Sequence, residues 1–364
     1  MNIGRRVGGG ARRDLEHRHR RATEETYMRV PAGRTTTVLA GALLLLVTGC
    51  SSKDEGENLK TIEPATAAVS PATIAPPAGT VRPLPGAVET ATFDPKTGTV
   101  ALLTPDADRL LLLPAAEPGA APREVQLPGG VANLGAPRDG VLLVPAGRAV
   151  VRVDLASGQT TTVDVDGDVS SAALLQSGAT AVGTADGSVL VLDASGKETE
   201  RISGLASVDA LGVTGEQLTA LDRKQTSVTE IDIPDKHLGR ALRAGEGATN
   251  LTTDHFGRVL VTDTRGGELI ALTTDPLMMR QRYPVPNSPY GIAYDDTANL
   301  VWVTLTGSNE VVGYDLSSGI PVEKRRFPTV RQPNAVAVDP GTGTLFVGSA
   351  SGDGLQSIDT KAQS

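Results

Sequence analysis

The chain has 364 residues, 39% hydrophobic and 3% aromatic, with a formal net charge of −8 and no extreme compositional bias. That length suffices for one large domain or two medium ones. A single cysteine, Cys50, excludes an intrachain disulfide, so packing alone must hold the fold, and 41 glycines with 24 prolines suit a chain that turns every few residues.

The N-terminus reads as an export signal. Arg29 and Arg34 precede an apolar stretch over 38–47 (VLAGALLLLV), which is followed by Thr48-Gly49-Cys50-Ser51-Ser52. A charged start, an apolar core too short to span a bilayer and small residues before a cut site define a signal peptide over 28–49. Residues 1–27 carry seven arginines ahead of it. They are read either as a misassigned or disordered leader, with Met28 the true start, or as an arginine-rich cytoplasmic tail. Removal of residues 1–49 leaves 25 basic and 38 acidic residues, a net charge of −13. A surface so acidic excludes nucleic acid as a partner.

Residues 50–78 hold Pro64, Pro71, Pro76 and Pro77 among Ala, Thr and Ser. That composition predicts a disordered spacer holding a domain away from a membrane. From residue 79 a pattern of roughly 40 residues recurs. Residues 289–315 read PYGIAYDDTANLVWVTLTGSNEVVGYD and residues 333–359 read PNAVAVDPGTGTLFVGSASGDGLQSID. In both, an Asp ends the first strand (Asp295, Asp339) and another lies 20 residues later (Asp315, Asp359). First strands are predicted at 90–94, 131–135, 171–175, 208–212, 249–253, 290–294 and 334–338. The spacing of 37 to 44 residues, with several short strands per unit, predicts an all-β, seven-bladed β-propeller over 79–364. Asp and Gly between strands, as in Asp94…Gly98 and Asp339…Gly343, are turn formers. Only five residues follow Asp359, too few for a fourth strand in the last unit. Residues 79–84 are predicted to supply it and close the ring, which removes an exposed sheet edge.

The tetrad Val47-Thr48-Gly49-Cys50 resembles the bacterial lipobox. That resemblance implies diacylglycerol on Cys50 and cleavage before it. Residues 221–231 (LDRKQTSVTEI), 241–249 (ALRAGEGAT), 258–270 (RVLVTDTRGGELI) and 311–334 (VVGYDLSSGIPVEKRRFPTVRQPN) resemble the LppL-like lipoproteins of mycobacteria and other actinobacteria. The likeness covers the lipobox and most of 60–360. It implies an exported, lipid-anchored propeller of the broad YVTN/NHL-like kind, and it carries no catalytic residues with it.

Exclusions are firm. Beyond residue 50 only His237 and His255 remain, too few for a zinc site built from several histidines. No G-x-S-x-G and no phosphate-binding Gly-Lys loop is present, and Trp302 is the sole tryptophan. No cofactor and no metal is expected. Asp164, Asp166 and Asp168 alternate as a Ca²⁺ loop can, but Leu175 stands where an EF-hand needs Glu; the other reading is an acidic inter-strand loop.

Loops at one mouth of the channel supply the candidate ligand-binding residues: Asp222, Arg223, Asn250, Asp263, Arg265, Asn287, Asn309 and Asn334. Arginine can grip a carboxylate bidentately, so this set fits a polar or anionic ligand. Equally, Asp222–Arg223 and Asp263–Arg265 could be inter-blade ion pairs that fix the ring. Two functions follow. One is a monomeric binding or scaffolding lipoprotein on the outer face of the cell membrane, meeting an envelope protein or a small polar ligand. The other is a lactonase-like hydrolase or lyase using Asp222, Arg223, Asp263 and Arg265.

Overall fold

The computed structural model describes residues 59–104, 108–117, 119–131 and 133–362. The leader, the signal peptide and Cys50 lie outside the described residues. Among the described residues, six four-stranded sheets and one three-stranded sheet follow one another along the chain. All are antiparallel, and six are meanders of consecutive strands, the arrangement that tight turns between short strands produce; the seventh takes its outer strand from near the N-terminus. The architecture is the all-β, seven-bladed propeller expected from the repeat.

The innermost strands are Thr90–Asp94 in blade 1, Val169–Leu174 in blade 3, Ala210–Thr214 in blade 4, Ala248–Thr253 in blade 5, Pro289–Asp295 in blade 6 and Pro333–Asp339 in blade 7. Each begins within two residues of its expected position. Blade 2 differs. It has three strands, Val141–Ala146, Ala149–Asp154 and Thr160–Asp164. Of the strand expected at 131–135, the described residues show one bridge, Val131 to Ala146. The local sequence explains it: Pro128, Gly129, Gly130, Gly135 and Pro137 remove ladder donors and favour bends. Val131 and Leu134 still fill the inner layer as buried side chains.

Ring closure occurs as the sequence implies. Strand Thr80–Arg82 pairs antiparallel with Leu355–Asp359, with Val81 opposite Gln356. The N-terminal strand thus becomes the outer strand of blade 7, and no blade is left with an unpaired final strand.

Packing follows from period-two alternation in strands buried on both faces. In blade 5, Val259 and Val261 join a cluster with Leu221 and Val228 of blade 4. Leu260 between them joins Val301, Val303 and Val312 of blade 6. Seven such clusters exist, one at each blade interface, and the last joins Ala337 and Phe346 of blade 7 to Val100 and Leu102 of blade 1. Each interface needs both neighbours, so stability resides in the closed ring.

The turn carboxylates do what Asp does in turns. Asp94 accepts from Thr97 N (2.9 Å), Asp295 from Thr297 N (2.9 Å) and Asp315 from Ser317 N (2.8 Å). Two tyrosines carry a testable consequence of packing. Burial pushes Tyr314 and Tyr294 up to about 12, with the Glu323 and Asp254 charges respectively adding to it. A phenol raised in the folded state stabilises the protein below its ordinary value of about 10, and that contribution is lost as pH rises through the folded value. Alkaline titration followed by phenolate absorbance should therefore show a late-ionising class at about pH 12. Tyr314→Phe should shrink that class and flatten the loss of stability over the same window. An unchanged profile would refute the assignment.

Candidate functional site

First strands leave a central channel of about 710 Å³. At one mouth it is lined by Glu89, Asp209, Arg223, Asn250, Tyr290 and Asn334, and at the other by groups including Arg138, Tyr294 and Asp296. The first mouth lies on the face that carries the loops joining second to third strands.

Asp222 and Asp263 end the second strands of blades 4 and 5, and both are fully buried. Asp263 accepts from the backbone N–H groups of Glu246 (2.8 Å), Gly247 (2.8 Å) and Gly266 (2.9 Å). Asp222 accepts from Ala206 N (2.7 Å), Gln225 N (2.8 Å) and the Ser207 hydroxyl (3.0 Å). Each carboxylate thus ties the loop entering its blade to the loop joining its second and third strands. Gly245, at a φ of 88°, leaves room for the Asp263 carboxylate, which any Cβ there would strike. The ion pairs considered from sequence do not form: among the described residues no salt bridge or hydrogen bond joins the carboxylate of Asp222 or Asp263 to the guanidinium of Arg223 or Arg265.

The arginines turn outward, to the chain's own N-terminal segment. Residues 59–78, expected as a free spacer, run along the mouth face over blades 4 to 7 and hydrogen-bond to it. The Ile62 N–H donates to Lys224 O at 2.7 Å. Arg265 Nη2 donates to Glu63 O at 2.8 Å and Arg223 Nη2 to Ala65 O at 2.6 Å. The Ala68 N–H donates to Ser288 Oγ (3.1 Å), while Gln332 accepts from Ser70 N (2.9 Å) and donates to Ala68 O (2.9 Å). The Ser70 hydroxyl donates to Thr306 O (2.6 Å), and Asn309 Nδ2 donates to Pro71 O (3.0 Å). Ala65 is 5% exposed and fits against Gly247, where an added Cβ would lie 2.8 Å from the Ala65 methyl. Composition hid this path, because the segment is held by its backbone, which carries no side-chain signature.

The remaining candidates divide. Asn250 Nδ2 donates to Tyr290 O (3.1 Å) and links blade 5 to blade 6 at the channel. Asn334 donates to Glu89 Oε2 (3.1 Å) and accepts from Gln332 Nε2 (3.0 Å), which connects the channel mouth to the overlying segment. Asn287 acts through its backbone: at a φ of 70° its carbonyl accepts from Gly307 N (2.9 Å). Of the eight, Arg223, Asn250 and Asn334 line the channel, while Asp222, Asp263, Arg265, Asn287 and Asn309 do not. Sequence reasoning missed Glu89, Ser288, Tyr290 and Gln332. Burial pushes the Tyr290 phenol above its ordinary range, and the nearby Arg223 charge works against that. Arg223 Nε is buried with no hydrogen-bond partner among the described residues.

The acidic loop of blade 2 is answered by a cation. Arg148 pairs with Asp166 at 2.8 Å and approaches Asp168 at 4.0 Å, all three exposed. Both described histidines lie off the channel lining: His237 starts the outer strand of blade 4, and His255 lies tilted against Phe256 with ring centroids 3.9 Å apart. His237, Asp232 and Asp235 could bring ligand atoms within 4.8 Å of one another, on an accessible turn.

No protein-family model and no curated protein matches the chain. Solved structures do match in fold. Hydrazine synthase of Kuenenia stuttgartiensis is similar at 16% identity and a TM-score of 0.64, over 77% of this chain and 97% of that one. A chain of the mitotic checkpoint complex matches at 14% identity and 0.66, over 81% and 98%. A catalytically inactive histidine-to-alanine variant of virginiamycin B lyase from Staphylococcus aureus, with quinupristin, matches at 14% and 0.61, over 76% and 97%. The class is therefore the seven-bladed β-propeller. Identities this low establish that fold and nothing narrower.

Proposed function

We propose that the protein is an exported, lipid-anchored propeller of the LppL-like kind, a binding or scaffolding module at the outer face of the cell membrane. One observation favours binding over catalysis. The two carboxylates that a lactonase-like site would use, Asp222 and Asp263, are fully buried and engaged by backbone amides. A general acid or base must reach a substrate proton, and these cannot. The similar lyase is inactive when one of its histidines becomes alanine; no histidine lines this channel among the described residues.

The anchor reading rests on Cys50 and the apolar stretch before it. Eight residues, 51–58, separate Cys50 from Leu59, so the two are at most about 30 Å apart. More than one acyl chain is needed for stable anchoring, as each buried CH₂ contributes about 0.8 kcal/mol.

Metabolic labelling with an alkynyl fatty acid tests the anchor. The parent chain should take the label and fractionate with membranes, and Cys50→Ala should lose both properties. An unlabelled parent, or a labelled Cys50→Ala, refutes lipidation there. Lactone hydrolysis by the purified chain that vanishes in Arg223→Ala at unchanged melting temperature would replace the binding reading with the enzymatic one.

A further inference from the structure

The segment on the mouth face has the properties of a bound ligand. Over 62–71 only Ala65 and Ser70 are fully buried, and Val69 is 84% exposed. The ring reads the backbone at Ile62, Glu63, Ala65, Ala68, Ser70 and Pro71, through side chains or loop carbonyls of four successive blades. Side-chain selection is confined to two small residues five positions apart: Ala65 against Gly247, and Ser70 beneath Gln332 and Thr306. None of the described residues 62–71 makes an ion pair with the ring. From 72 to 77 no hydrogen bond joins the chain to the ring among the described residues, and Ile74 is 98% exposed. Pairing resumes with Ala78 N to Pro328 O, just ahead of the closing strand. The contacts of residues 62–71 are thus separated by a stretch without hydrogen bonds to the ring from the strand at Thr80–Arg82 that closes it.

We propose that the mouth face is a binding groove for an extended polypeptide, occupied in the resting protein by residues 62–71. The external occupant is an extended segment of a partner polypeptide, with small side chains five positions apart and backbone carbonyls free for Arg223, Arg265, Gln332 and Asn309. Its chemistry is copied from the resident segment, the one sequence seen to fit. Side-chain recognition of a backbone tolerates many sequences, as peptide grooves commonly do. Displacement would also free Arg223 and Gln332, two groups that reach the channel mouth directly or through Asn334. The proposal rests on the binding-module reading but is independent of the lipid anchor, so fatty-acid labelling and peptide capture can fail separately.

The test uses the full chain. Ala65→Trp with Ser70→Trp expels the resident segment, because neither pocket admits an indole. The probe is a fluorescent peptide of sequence LKTIEPATAAVSPA, residues 59–72. It should bind the double variant about tenfold or more tighter than the parent, whose groove is filled. Adding Arg223→Ala and Gln332→Ala should abolish the gain, and a peptide carrying the two tryptophans should not bind. A folded double variant that ignores the peptide overturns the proposal. So does binding accounted for entirely by dimers that exchange segments, which would assign the groove to a second copy. Should the double variant not fold, hydrogen exchange on the parent decides. The amides of Ile62, Ala68 and Ser70 should exchange about a hundredfold faster than ladder amides such as Val261. Equal protection would make the segment a permanent part of the fold and end the proposal.

Discussion

Asp263→Ala is expected to lower the stability of the folded chain by about 3–5 kcal/mol, as a buried acceptor is deleted and its donors are left unsatisfied at roughly 1–3 kcal/mol each. The donors are the N–H groups of Glu246, Gly247 and Gly266, held at 2.8–2.9 Å. Asp263 is 0% exposed, so bulk solvent does not reach these donors in the folded chain. The melting temperature should fall by on the order of 10 °C for a domain of this size. Asp263→Asn should cost less, since one oxygen remains to accept. The two loops that Asp263 ties carry Gly247 and Arg265, which hold residues 65 and 63. Amides of the overlying segment should therefore lose protection in Asp263→Ala before the ring itself unfolds. A variant as stable as the parent would show that Asp263 is not the clamp, and would return it to the pool of functional carboxylates.

Trp302→Ala is the larger packing lesion. The indole is 0% exposed at the interface of blades 6 and 7, stacked on Phe327 with ring centroids 6.0 Å apart. Gly313 on the next strand leaves the space it needs, for a Cβ there would sit 2.9 Å from the ring. Truncation leaves a cavity that a seven-fold packed ring closes poorly, at a cost of about 3–5 kcal/mol. Gly313→Ala, the reciprocal change, overfills the site and should cost about 1–3 kcal/mol. Trp302→Phe should be the mildest of the three. Trp302 Nε1 is buried without a partner among the described residues, so removing it sacrifices no hydrogen bond. Denaturant midpoints followed by circular dichroism measure all three, and the slopes should stay unchanged if only stability is altered. A Trp302→Ala midpoint equal to the parent's would mean that blades 6 and 7 do not share a rigid core.

The propeller was legible because each of its elements is written locally. Asp295 and Asp339 stop a strand by capping amides two residues on. Val259, Leu260 and Val261 alternate between neighbouring blades. These signals lie within a few residues of one another and recur with the repeat, so the period alone gives both blade number and order. Even closure followed, since a final unit lacking its fourth strand has one remaining source. Blade 2 broke the rule where prolines and glycines took over the inner strand.

The mouth was legible as a place and not as a mechanism. Asp222 and Asp263 were rightly placed beside Arg223 and Arg265 in sequence, yet the acids point into loops and the arginines away from them. Pattern reading gives proximity along the chain, whereas direction depends on which donors the fold brings to each oxygen.

By itself, then, the sequence determined the all-β class, the seven units and the closing strand, which the structure places at Thr80–Arg82. Those depend on periodicity and turn chemistry, which are properties of neighbours in the chain. Only the tertiary structure decided where residues 59–78 go and what the mouth residues hold. The partners involved are 158 residues apart for Arg223 and Ala65, and 262 for Gln332 and Ser70. Their bonds run to backbone groups that every residue possesses, so no composition or spacing could announce them.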